Sequence, residues 1–124
     1  MRVFWSGLCL LVLAAWLTGC PGTGSEEQSF TINIRNRAVQ GDMDVLRVKQ
    51  GDRVTLWWMT DETVTIHLHG YDIEQVVKPG VSSVFTFQAY ATGRYPITAH
   101  AFGNLPAAGD QQEIPLLYLE VLPR

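Results

Sequence analysis

From residue 30 onward the apolar side chains recur at every second position, and that period decides the fold class more than any other feature. "FTINIRN" (30–36) sets Phe30, Ile32 and Ile34 against Thr31, Asn33 and Arg35. "ETVTIHLHG" (62–70) sets Val64, Ile66 and Leu68 against Thr63, Thr65, His67 and His69. "SSVFTFQAY" (82–90) turns Phe85 and Phe87 away from Val84, Thr86 and Gln88. The runs "DVLRVKQ", "GDRVTLWWMT", "RYPITAHA" and "IPLLYLEVLP" complete a set of about seven short strands. Turn signals separate them: "QGD" at 50–52, "KPG" at 78–80 and "TG" at 92–93. No ten-residue window carries a helical period. Short strands with regular Gly and Pro turns predict an all-β antiparallel sandwich or barrel.

Two local features modify this pattern. Pro96 lies within a strand-like run, and its missing amide donor predicts an edge strand, a strand start or a bulge. "AFGNLPAAGDQQE" (101–113) is the longest break between strands, a length usually tied to function or mobility.

The first twenty residues follow a different logic. Arg2 precedes an apolar run, Val3 to Leu17, which ends in "LTGC". This is the layout of a secretory signal, and the run is shorter than the roughly 20 apolar residues of a transmembrane helix. "LTGC" resembles the bacterial lipobox, which implies cleavage after Gly19 and lipidation of Cys20. The expected organisation is therefore a signal peptide at 1–19, a flexible Gly/Ser/acid-rich tether at 20–29 and one domain at 30–124. The resemblance implies a periplasm-facing protein anchored to the membrane. Pro21, where an Asp would resemble an inner-membrane retention signal, favours the outer membrane in an organism that has one.

The only cysteines are Cys9 and Cys20. The first leaves with the signal and the second takes the lipid, so the domain has no thiol to offer a disulfide or a metal. Without Arg2, eight Lys and Arg face twelve Asp and Glu, a formal net charge of −4. Scattered, mildly acidic charge excludes a nucleic-acid binder. No Ser, His and Asp arrangement, paired carboxylates or phosphate-cradling glycine loop is recognisable, so the chain does not read as an enzyme.

The order of "VKQGDRVTLWWMT", a His-bearing strand, "KPG", a Phe-rich strand, "TGRYPI" and "YLEVLP" resembles the cupredoxin family over nearly all of 30–124. That resemblance implies a Greek-key β-sandwich, often with copper at one end. A blue copper centre requires two histidines and a cysteine thiolate. The family's cysteine falls six residues after the glycine of Gly-x-Tyr, here Gly93, so its position holds Ala99. The resemblance therefore implies no blue copper.

"IHLHG" and "GRYPITAH" are similar to the histidine motifs of the first cupredoxin domain in multicopper oxidases. His67 and His69 match the first pair and His100 the second histidine of the second pair, while Thr98 stands where the remaining one would be. Two histidines at period two leave one face of a strand, roughly 7 Å apart at Cα. The family topology places His100 on the neighbouring strand. Three imidazoles suit Cu(II) or Zn(II) with an open position, and the resemblance favours copper over zinc. Histidines on the wet face of a strand also occur without any metal. In the oxidases these histidines point into an interface between domains, so a partner protein or a second copy would complete the site here.

Asp72 reads first as a turn residue, and Asp110 and Glu113 as loop charges within reach of the site. Met59 and the Trp57–Trp58 pair read as sheet packing, with one indole inward and one outward. Tyr71 reads as packing at a strand end. The expected function is a lipid-anchored protein that binds or hands on a metal ion. The alternatives are a metal-free interaction module and an accessory subunit of a larger envelope complex.

Overall fold

The computed structural model describes residues 24–103 and 112–124. The signal segment, Cys20 and Asp110 lie outside the described residues. Nine strands follow in chain order: β1 (Glu27–Arg35), β2 (Ala38–Val39), β3 (Val45–Lys49), β4 (Arg53–Thr60), β5 (Val64–Leu68), β6 (Ile73–Val77), β7 (Ser83–Gln88), β8 (Gly93–His100) and β9 (Ile114–Leu122). They form two sheets, ordered β2-β1-β4-β7 and β3-β9-β8-β5-β6. β1 runs parallel to β4 and β3 parallel to β9, and the other pairings are antiparallel. Among the described residues there is no helix, hence none long and apolar enough to cross a membrane.

The alternation places the core as expected. Val64, Ile66 and Leu68 of β5 are fully buried, facing Ile32, Ile34, Leu56 and Trp58 in the same cluster. Burying each such side chain stabilises the fold by about 1.5–3 kcal/mol. Trp58 is fully buried while Trp57 remains 40% exposed, so the pair divides between the faces as the period demands.

Two strands exceed the expected seven. β2 is a two-residue return from β1 through Asn36 and Arg37, both at positive φ (51° and 61°), the hairpin-turn conformation. β6 escapes a reading by alternation because its inward register, Ile73, Gln75 and Val77, contains a glutamine, and its outward register contains Val76. β1 also begins at Glu27, paired with Arg53, so residues 27–29 are strand rather than tether. Pro96 lies not on an edge but in β8, between β9 and β5. Its carbonyl accepts the His69 amide at 3.1 Å, so its nitrogen faces the point where β5 ends. A register shift between Ile97 and Thr98, next to the proline, satisfies the bulge expectation.

At one end of the sandwich, buried Asp52 ties three segments together. One carboxylate oxygen accepts the Glu26 amide at 3.0 Å and the other the Lys49 amide at 2.9 Å. The guanidinium of Arg124 pairs with the same group. Burial alone would raise the Asp52 pKa, but the Lys49 and Glu26 amides and Arg124 outweigh it and hold it below its usual value.

Candidate metal site

β5 sends His67 outward, and His69 follows directly after its last residue, Leu68. Beyond it Gly70 takes φ +81°, and a Cβ there would sit inside the ring of Tyr95. Only glycine fits, so the chain turns sharply away just after His69. Tyr95 is fixed in turn by its hydroxyl, which donates to the Thr92 carbonyl at 2.8 Å. Tyr71 packs edge-on to Tyr95 and donates its hydroxyl to the Ala91 carbonyl at 3.0 Å. Asp72 takes φ 53°, as its turn role requires.

On the outer face, β8 lies alongside β5 with Thr98 opposite His67 and His100 opposite Thr65. The bulge leaves Ile97 opposite Leu117 but Thr98 opposite Pro115, with Leu116 as the extra residue. β9 therefore starts at Ile114, opposite Ala99, and Glu113 enters the outer face just before it.

Glu113 meets both histidines of the strand. Its Oε2 lies 3.1 Å from His69 Nε2, and its Oε1 lies 3.6 Å from His67 Nδ1. Thr98 Oγ1 donates to Glu113 Oε2 at 3.1 Å and lies 3.0 Å from His69 Nε2. The two imidazoles lie side by side, with ring centroids 3.9 Å apart and planes inclined by 34°. One ligand atom from each of His67, His69 and Glu113 falls within 4.8 Å of the others. Burial alone would raise the Glu113 pKa, but the hydroxyl of Thr98 and the two histidines outweigh it and hold it below its usual value.

His100 has a different neighbour. Its Nε2 lies 3.0 Å from Glu74 Oε1 on β6. The reason is register: His69 follows the end of β5, while His100 stands opposite Thr65, four residues back, roughly 13 Å along the strand. Glu74, the cross-strand partner of His67, lies on the same outer face and takes the His100 ring. Ala99 is fully buried in the core, so the position matched to the blue-copper cysteine carries no donor group.

Two imidazoles and one carboxylate are a recognised divalent-metal donor set that leaves further positions open. Glu113 reads from the sequence as a loop charge within reach of the site. Its signal was its place immediately before the last strand, on the side where β9 joins β8.

No family model and no curated protein matches the chain. Among solved structures it is similar to a blue copper oxidase from Nitrosomonas europaea, with a TM-score of 0.58 at 18% identity, covering 79% of this chain and 39% of that one. It is also similar to a copper nitrite reductase from the same organism, with a TM-score of 0.55 at 16% identity, covering 81% and 42%. A chain of a heme-copper terminal oxidase dimer matches with a TM-score of 0.53 at 16% identity, covering 72% and 64%. This chain thus spans less than two thirds of each of those chains. Strand order, sheet pairing and these likenesses agree on one architecture: the protein is a cupredoxin-like β-sandwich.

Proposed function

We propose that this protein is a lipid-anchored, envelope-facing metal binder that holds or hands on a single ion, copper before zinc, and carries out no catalysis itself. The convergence of His67, His69 and Glu113 on one face of the sheet carries this reading. The copper proteins among the similar folds support copper, and the "LTGC" motif at Cys20 supports the anchor. Three protein ligands on a wet face leave room for water or for a ligand from a partner protein, which suits transfer better than permanent storage. The likeness to a heme-copper oxidase chain favours a place beside a larger envelope assembly.

The test uses residues 20–124 with Cys20→Ser, so that no thiol competes for the ion. Cu(II) is titrated by calorimetry and electron paramagnetic resonance into this protein and into its His67→Ala, His69→Ala and Glu113→Gln forms. One ion per monomer in the parent, with losses in all three variants, is the expected result. Equal and negligible binding throughout would falsify the reading. His100→Ala belongs in the same series and decides whether His100 leaves Glu74 to join the ion. A size measurement during the titration shows whether a second copy completes the site.

A second reading has its own observation. Trp57 and Met59 of β4 and Val84 of β7 remain exposed together on the outer face of the other sheet, with Trp57 and Val84 directly paired. That face fits a metal-free interaction module, and absence of metal binding with intact stability would favour it.

A further inference from the structure

We infer that this site discriminates by oxidation state: it holds Cu(II) and gives up Cu(I). The inference rests on the proposal that His67, His69 and Glu113 form the metal site, and three observations lead to it.

The first is the donor set. Soft sulfur ligands select Cu(I), whereas carboxylate and imidazole suit divalent ions. Among the described residues the sulfur donors are elsewhere: Met43 packs against the core, and Met59 points outward from the opposite sheet.

The second is geometry. With two imidazoles Cu(I) favours donors opposed across the ion. His67 and His69 leave one face of one strand, and their rings lie side by side at 3.9 Å. Their nitrogens approach from one side, as neighbours in the square arrangement of Cu(II) do.

The third is charge. Glu113 brings one negative charge within 3.1 Å of His69 Nε2, and the Thr98 hydroxyl holds it there. An anionic ligand stabilises a doubly charged ion more than a singly charged one at the same distance.

Transfer then has a direction. One electron from a small reductant such as ascorbate, which becomes the monodehydroascorbate radical, reduces Cu(II) to Cu(I). The bonds to His67, His69 and Glu113 then break with their electron pairs left on the protein, and Cu(I) forms new bonds to an acceptor rich in thiolate or thioether sulfur. Zn(II), which accepts no electron, stays.

The experiment loads the Cys20→Ser protein with Cu(II) or Zn(II) and adds ascorbate without oxygen, in the presence of a Cu(I)-specific chelator. Release of copper but not zinc is expected, with Cu(I) bound at least about tenfold more weakly than Cu(II) in direct competition. Glu113→Gln keeps the shape and removes the charge, so it should weaken Cu(II) more than Cu(I) and narrow that ratio. Copper retained after reduction, or equal affinity for both states, overturns the inference while leaving the metal site standing. Failure of both Cu(II) and Zn(II) to bind overturns the inference and the site together.

Discussion

Gly70 lies directly beneath the ring of Tyr95, with no space between them for a Cβ. This single close approach turns the chain away one residue after His69, which itself follows the end of β5 at Leu68. Gly70→Ala meets two obstacles, a positive φ of 81° and the ring itself. An expected loss of about 2 kcal/mol or more follows from strain at such a position. Denaturant unfolding measures it. Tyr95→Ala in the same chain removes the ring but not the φ problem, so the double variant should recover only part of the loss. Full recovery would show that the backbone angle costs nothing.

Thr98 occupies the position where the oxidase-like motif has a histidine, and it acts through its hydroxyl. It donates to Glu113 Oε2 and lies beside His69 Nε2. Thr98→Val removes that bond and keeps the shape, so Cu(II) affinity should fall about tenfold to a hundredfold, the usual effect of losing a group that orients a ligand. Thr98→Ser retains the hydroxyl and should restore most of the affinity. If Val and Ser behave alike in titration, the hydroxyl does not position Glu113.

The two indoles of residues 20–124 give an independent check on the sandwich. Trp5 and Trp16 precede Cys20, so a protein of residues 20–124 holds only Trp57 and Trp58. Trp58 is fully buried and Trp57 is 40% exposed. Trp57→Phe should leave a blue-shifted emission that iodide barely quenches, because the surviving indole is sealed from water. Trp58→Phe should leave a red-shifted, quenchable one. Reversed spectra would mean that β4 presents the opposite face.

Much of this arrangement is legible in the chain. Period-two alternation gives the sandwich, its inward faces and the split of Trp57 from Trp58, because burial acts on single side chains at fixed spacing. The same rule hides β6, where Gln75 points inward and Val76 outward. The site is less legible because it depends on register between strands. "IHLHG" and "ITAH" name three histidines, but only pairing reveals that His67 faces Thr98 while His100 faces Thr65. Glu113 gains its place from the bulge opposite Thr98; Pro96 signals an irregularity there, but not that the shift brings Glu113 to the histidines. Glu74 was invisible for the same reason as the strand that carries it.

Acid should weaken the fold from a site far from the histidines. Asp52 is 1% exposed and accepts the Glu26 and Lys49 amides while paired with Arg124. Its pKa is held below the unfolded value despite its burial. A lowered folded pKa means that the unfolded chain binds the proton first. The stabilisation is therefore complete above the ordinary carboxylate range, about pH 4, and is lost as the pH falls through the lower folded value. Glu113 contributes with the same sign. Unfolding free energy measured from pH 7 down to pH 2 should stay level and then drop. Asp52→Asn should cost about 2–4 kcal/mol at pH 7, because Arg124 then faces a buried group without charge. Its profile below pH 4 should also be shallower than that of the parent. Arg124→Ala should likewise destabilise at neutral pH and move the acid drop to higher pH, since the carboxylate loses its cation. A variant profile parallel to the parent's over the whole range would remove Asp52 from the acid response.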